Sequence, residues 1–450
     1  MEVDIEHLPS NLFDNEKFQR QVTMIKEAAG QAQKETDYES AHNDHILLAI
    51  TIIEKFLKKK HRICYGGQAI NAYLPARYKF YDPEYTIPDY DFFTPDQAND
   101  IEWIENELRK AGFTEISARE GMHEGTTKIY VDFIPVADLT IMDSRLYRIL
   151  SKRASRFEGI SYLDANSLRM LMHLELSRPR GEVKRWEKVF ERLTIFNEFV
   201  PIKRCQIMDS TLMRPCLSTK EVQFTFNYII QEERVFAGGD LLSLYEHAFR
   251  SQKQQWTLSH RRPILFLSSD ADKDVKKILT EFLLMRAEEG RKNALSIKTY
   301  SHKGLDLMPS IHVLHEGKQP LVIIVQQSAC HSYYNLSMED QKKMRIATMD
   351  TLITLYFGLG YVSSPYFTIG SMECLANQLV QLSIKARQQS DRFLFPFISV
   401  SCSGHQTTLP SLIRSKVERI RMKREMTKRQ RNANALTRKN TKKNYKLPLI

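Results

Sequence analysis

The amino-acid sequence predicts a mixed α/β protein, with one α/β sheet module, a mainly helical middle region, a second α/β module and a basic tail. Three observations predict it. At 450 residues the chain is too long for one ordinary core, so two or three domains are expected. Strand-like apolar runs alternate with helical spacing near both ends, while the segment between carries helical spacing alone. The excess positive charge is concentrated in one place: residues 411–450 hold 14 Lys and Arg against Glu418 and Glu425, more than the chain's whole net charge of +11. The expected division is 1–44 as an N-terminal extension, 45–145, 146–255, 256–410, and 411–450.

The elements follow in order. His45 to Lys60 reads as a helix: Ile46, Leu47, Ala49, Ile50, Ile53 and Leu57 recur at helical spacing, and Lys58-Lys59-Lys60 sit where the helix dipole favours cations. Arg62-Ile63-Cys64-Tyr65 reads as a short strand entering Gly66-Gly67. Gln68 to Leu74 reads as a helix that Pro75 stops. Tyr90-Asp91-Phe92-Phe93 is a second strand, 96–111 an amphipathic helix ending at Gly112, and Lys128 to Thr140 a further strand region. Residues 144–250 read as mostly helical, with helices at 164–177 and 182–198, and 251–262 as a linker. Beyond it come a strand at 264–267, a helix at 271–288, a strand at 321–325 and a helix near 339–357. The tail reads as helical through Lys428 and disordered after it, because its polar, charged composition cannot bury a core.

Composition excludes several classes. No apolar run is long enough to span a bilayer, and the acidic N-terminus lacks the layout of a signal peptide. The six cysteines form no C-x-x-C pair, so a zinc knuckle and a redox motif are not expected and a reducing, intracellular setting fits. The isolated Cys402-Ser403-Gly404-His405 reads as a loop turn. A basic block such as the tail is an electrostatic footprint for phosphate-rich partners, although a solvated tail or a localisation signal has the same composition.

The chemistry rests on an ordered triple: strand, Gly-Gly and helix; Asp-x-Asp on a strand; a third carboxylate on a later strand. Gly66 and Gly67 let backbone approach a ligand closely, and N–H groups at a helix start suit triphosphate oxygens. Asp89 and Asp91, two residues apart in an extended segment, face one side; paired charges of one sign call for a cation, and magnesium accepts them. Asp132 and Asp138 both qualify as the third acid, and parity does not separate them. Three carboxylates around two Mg²⁺ or Mn²⁺ ions would support phosphoryl transfer to a ribose 3′-OH.

This order resembles the polymerase-β-like nucleotidyltransferase superfamily. More closely it is similar to the poly(A) polymerase catalytic subunits of large cytoplasmic DNA viruses, of poxvirus, asfarvirus, iridovirus and giant-virus type. The resemblance is carried by Tyr65-Gly66-Gly67-Gln68-Ala69-Ile70-Asn71; by Asp89-Tyr90-Asp91-Phe92-Phe93; by His123 to Ile129 running on to Ala137-Asp138-Leu139-Thr140; and by Leu174 to Gly181 with Arg185-Trp186-Glu187-Lys188-Val189. It implies Asp138 as third metal ligand, a degenerate, non-catalytic second module, ATP as substrate and an RNA 3′ end as acceptor. It also implies a host-cytoplasmic viral factory, or the virion, as location, and leaves open a homodimer or a viral processivity subunit. The second module shows no clear Gly-Gly plus Asp-x-Asp, which agrees. The 21 residues between Gly67 and Asp89 exceed the superfamily's usual spacing, and the Tyr residues from 73 to 85 could stack on bases or simply pack the loop.

Arg178, Arg180, Lys184, Arg185 and Lys188 lie near a helix start where cations could hold a triphosphate, Arg185 and Lys188 foremost; a surface helix paired with Glu182, Glu187 and Glu191 is the competing view. Trp186 reads as core and His123 as non-catalytic. Uridylyl or CCA addition would use the same triad, a glycosyltransferase also uses Asp-x-Asp, and a silent RNA-binding or scaffold subunit would need only the tail.

Overall fold

The computed structural model describes residues 16–205, 217–249, 263–290, 296–305, 307–338 and 342–443, with side chains up to residue 429. The linker expected at 251–262 lies outside the described residues.

Helix α1 (Glu16–Ala41) is polar and buries only Ala41. Helix α2 (Asp44–Lys60) is capped by Asn43, whose side chain accepts from the His45 and Ile46 amides, and it buries Ile46, Ala49, Ile50, Ile53, Phe56 and Leu57. Then come β1 (Ile63–Cys64), α3 (Gly66–Tyr73), β2 (Tyr90–Thr94), α4 (Gln97–Lys110), β3 (Ile116–Glu120), β4 (Thr126–Val131), β5 (Ile134–Ile141), α5 (Ser144–Ser151), β6 (Ser155–Phe157), β7 (Ile160–Tyr162), α6 (Ala165–Leu176) and α7 (Trp186–Phe199). The seven strands form one mixed sheet, in the order β3-β4-β5-β2-β1-β7-β6.

The second half repeats this plan. It comprises α8 (Thr219–Gln231), β8 (Val235–Phe236), α9 (Asp240–His247), β9 (Ile264–Ser268), α10 (Ala271–Glu288), β10 (Ile297–His302), β11 (Ile311–Glu316), β12 (Gln319–Gln326), β13 (His331–Ser337), β14 (Lys343–Ala347), α11 (Met349–Tyr361) and α12 (Ile369–Gln388), followed by β15 (Cys402–Ser403) and α13 (Leu409–Lys443). Its sheet order, β10-β11-β12-β9-β8-β14-β13-β15, matches the first strand for strand, with β15 added at one edge. The pairings match in sense too: β1 is antiparallel to β2 as β8 is to β9, and β2 is parallel to β5 as β9 is to β12.

Even the buried polar bolts recur. In the first half Arg62 Nε donates to Asp100 at 2.7 Å while the Thr94 hydroxyl donates to the same carboxylate. In the second, Arg234 Nε donates to Asp274 at 2.7 Å and the Ser268 hydroxyl at 2.6 Å. The two halves are joined where α6 packs on α11, with His173 Nδ1 2.7 Å from Asp350 and Arg387 2.9 Å from that carboxylate.

Several expectations change. The strand region expected at 128–140 is a hairpin, β4 and β5, turning at Asp132-Phe133, both with positive φ. The segment expected to be mostly helical supplies β6 and β7 to the first sheet and β8 to the second, because these strands are too short to show a period. The helix expected near 339–357 begins only at Met349, after β14. The tail is helical to Lys443, beyond the expected limit at Lys428. It is also docked, since Arg419 Nε donates to Glu120 of β3 at 3.1 Å and Lys423 pairs with the same carboxylate. Four of the six cysteines, expected to be unpaired, form Cys205–Cys374 and Cys330–Cys402, with Cα separations of 5.7 and 5.3 Å. These partners are 169 and 72 residues apart in the chain, so only the fold brings them together. Among the described residues, no helix is long and apolar enough to cross a membrane.

Candidate active site

Three adjacent strands build the site. The parallel register of β2 on β5 sets Asp91 opposite Asp138, and the antiparallel register of β4 on β5 sets Lys128 opposite Asp138. Asp89 lies two residues before Asp91, just outside β2, at the solvent rim. Asp132, the alternative third acid, is remote: it occupies the β4–β5 turn and pairs with His45 at 2.9 Å.

The electrostatics fit a cluster of like charges. Burial by the surrounding protein, then the charges of Asp89 and Asp138, push the Asp91 carboxyl up to about 7. Burial and Asp138 raise Asp89 as well. Lys128 pairs with Asp138 and partly neutralises the group; it was missed from sequence, where a lysine in an apolar strand was its only signal.

Among the described residues, no three His, Cys, Asp or Glu side chains are gathered closely enough to enclose an ion in this conformation. The donors nevertheless suit a hard divalent cation. All three are carboxylates, and Asp138 Oδ1 is buried with no hydrogen-bond partner.

Glycines close one wall. Gly66 has φ +71°, and a Cβ there would lie 2.5 Å from Asp91 Oδ2, so only glycine allows α3 to start against that carboxylate. Both glycines belong to the first turn of α3 rather than preceding it. A Cβ on Gly67 would collide with the Tyr81 hydroxyl.

Cations lie beside the glycines, where a Cβ on Gly67 would come 3.0 Å from an Arg192 guanidinium nitrogen. Arg185 caps α7, is held by Glu175 at 3.3 Å and Glu182 at 3.5 Å, and its charge reaches Asp91. Lys188 and Arg192 follow at helical spacing. The charges of Arg192 and Arg185, with burial between, lower the Lys188 ammonium, a sign that cations are crowded there. Arg192, not anticipated from sequence, donates to the Tyr81 hydroxyl at 2.9 Å and lies 4.4 Å over Phe80.

The other candidates are placed differently. Arg180 and Lys184 are exposed, and Arg178 lines a cavity between the two halves. Trp186 donates to the Glu175 carbonyl at 3.0 Å, and Tyr78 packs 4.1 Å from Phe199, so both are structural.

The corresponding place in the second half is stripped of this chemistry. The Tyr65 amide donates to the Asp91 carbonyl as Ala237 does to Leu265. That equivalence puts Leu265 in place of Asp91 and Ile323, its register partner, in place of Asp138. Val313 takes the place of Lys128. Gly238-Gly239 does persist at the helix start, ahead of the bounds of 256–410 expected for the second module.

A proton near neutral pH on Asp91 has a measurable consequence. Its folded value, about 7, lies above the unfolded carboxylate value, so the metal-free fold gains most below roughly pH 4 and loses that gain as pH rises through about 7. Melting temperature in a chelator is therefore expected to fall across that window, and added Mg²⁺ or Mn²⁺ to flatten the slope by displacing the proton. A pH profile unchanged by either metal would contradict this.

Comparison with known proteins agrees with the geometry. Residues 51–182 match the family described as Poly(A) polymerase catalytic subunit. A protein of African swine fever virus (isolate Pig/Kenya/KEN-50/1950) named "Putative poly(A) polymerase catalytic subunit" is 27% identical over 168 residues, 36% of this chain and 35% of its own length. Namesakes from isolate Warthog/Namibia/Wart80/1980 and from Acanthamoeba polyphaga mimivirus are 25% and 24% identical, over 59% and 48% of this chain and 54% and 38% of their own lengths. The matches thus span about a third to about half of these relatives. The crystal structure of the Megavirus polyadenylate synthase superposes with a TM-score of 0.71 at 17% identity, covering 92% of this chain and 84% of that one, which establishes a shared fold. The resemblance drawn from the four sequence segments therefore holds.

Proposed function

We propose that this chain, similar over residues 51–182 to viral poly(A) polymerase catalytic subunits, adds adenylates from ATP to RNA 3′ ends without a template. The observation that carries the reading is the register that sets Asp91 beside Asp138, next to the glycine start of α3. Asp89, Asp91 and Asp138 would hold the ions. When bound, two Mg²⁺ or Mn²⁺ ions would activate the ribose 3′-OH and neutralise the departing pyrophosphate.

The chain's own groups do the rest. Amides at the start of α3 receive phosphate oxygens at a helix end that has spare N–H donors. Arg185, Lys188 and Arg192 would draw the triphosphate toward the start of α3 and fix its direction. Lys128 pairs with Asp138 and fixes where that carboxylate stands. The docked basic helix α13 adds salt-sensitive, sequence-independent RNA affinity. The choice of ATP rests on the names of the relatives, as does a location in the host cytoplasm at the viral factory.

Primer extension tests the reading: an RNA primer, one NTP at a time, Mg²⁺ or Mn²⁺, wild type beside Asp89→Ala. Extension with ATP by wild type alone is expected. Preferred extension with UTP or CTP would move the chain to another RNA nucleotidyltransferase class, and no extension with any NTP would remove the reading.

A further inference from the structure

The long connection between Gly67 and Asp89 turns back on the glycines at Tyr81. Two side chains hold it there. Asn71, buried on α3 itself, accepts through Oδ1 from the Phe80 amide at 3.0 Å and the Tyr81 amide at 3.4 Å. Arg192 of α7 lies 4.4 Å over the Phe80 ring and 5.3 Å over the Tyr81 ring. The loop is thus fastened to the short helix whose first turn it covers.

This gives the Tyr81 hydroxyl a particular place. A Cβ on Gly66 would lie 2.5 Å from Asp91 Oδ2, while a Cβ on Gly67, one residue on, would run into the Tyr81 hydroxyl beside Arg192. Asp91, Gly66, Gly67, the Tyr81 hydroxyl and Arg192 therefore follow one another along the start of α3. A triphosphate with its reacting end at the acids and its far end at the cations would cross that stretch.

The hydroxyl has used half of its hydrogen-bonding capacity. Arg192 Nη2 donates to it at 2.9 Å, so the oxygen accepts and its own proton remains to be given. Among the described residues no acceptor takes that proton. Ionised phosphate oxygens accept such a proton strongly. The ring itself is engaged, by Arg192 over it, by Phe80 4.7 Å away and by Gly67 at its edge. The hydroxyl, rather than a base-stacking face, is what Tyr81 presents.

We propose that the Tyr81 hydroxyl donates to the β- or γ-phosphate of the incoming nucleotide, oriented by Arg192; this rests on the nucleotidyltransferase reading of the site. The phosphate that reacts must sit at the acids, so the one that meets Tyr81 is one of the two beyond it.

The test is calorimetric titration of the full chain in Mg²⁺ with inorganic tripolyphosphate, ATP, AMP and an RNA primer, with melting of each protein. Tyr81→Phe keeps the ring and loses only the hydroxyl. It is expected to weaken tripolyphosphate and ATP alike, by about tenfold or more, and to leave AMP, primer and Tm unchanged. In primer extension the KM for ATP should rise by a similar factor with kcat little changed. Tyr78→Phe, in the same loop but packed on Phe199, should match wild type throughout. Tripolyphosphate binding that Tyr81→Phe leaves within about twofold of wild type would overturn the proposal. So would absence of tripolyphosphate binding by wild type, or a loss of primer affinity equal to the loss of ATP affinity. Hydroxyl-dependent tripolyphosphate binding by a chain that extends no primer would remove the polymerase reading and keep the phosphate contact, so the two failures are told apart.

Discussion

Asp91→Asn and Asp138→Asn are each expected to lower nucleotide addition by about 10³-fold or more while leaving the fold intact. The two carboxylates stand opposite one another in the β2–β5 register, where both would be ligands of the same ions. The accompanying signature is in stability. Asp91 is pushed toward protonation by burial and by its acidic neighbours, so neutralising it relieves repulsion. The metal-free Asp91→Asn protein should melt no lower than wild type at pH 8, and its Tm should respond less to Mn²⁺. Primer extension and thermal melting on one preparation measure both. Activity within about tenfold of wild type, or a fall in Tm that accounts for lost activity, would show that the acids are structural.

The largest stability effect is expected far from the chemistry. Asp274 is fully buried, accepts from Arg234 at 2.7 and 2.8 Å, from the Tyr228 hydroxyl at 2.8 Å and from the Ser268 hydroxyl at 2.6 Å. Truncating it leaves Arg234, itself mostly buried, without its partner, along with two hydroxyls. Such a loss costs about 3–5 kcal/mol. Asp274→Ala should therefore shift the urea midpoint strongly, and Asp100→Ala, its counterpart in the first half, should behave alike. A cost below about 1 kcal/mol for either would mean the repeated bolt is ornamental rather than structural.

The matching bolts explain why the second half survives without catalytic groups. Its frame depends on Arg234, Asp274 and Ser268, whereas the positions equivalent to the acids hold Leu265 and Ile323, which simply add to the core. Between the halves strand order and register are retained, while residue identity at the acid positions is not.

The sequence by itself determined the glycine pair, the Asp-x-Asp and the helices α2, α4, α6 and α10, because each is a local pattern: an apolar period, a cap, two like charges at strand spacing. Strand parity left Asp132 and Asp138 undivided, with only the family resemblance pointing to Asp138; the sequence overlooked Lys128 and Arg192, grouped Arg178 with the phosphate cations and took the cysteines as unpaired. Those questions turned on which residues meet across strands or between halves. A two-residue turn at Asp132-Phe133 sends one acid to the rim and the other into the sheet beside Asp91. Contacts of that kind join positions tens to hundreds of residues apart, and no periodicity along the chain encodes them. Only the tertiary structure decided them.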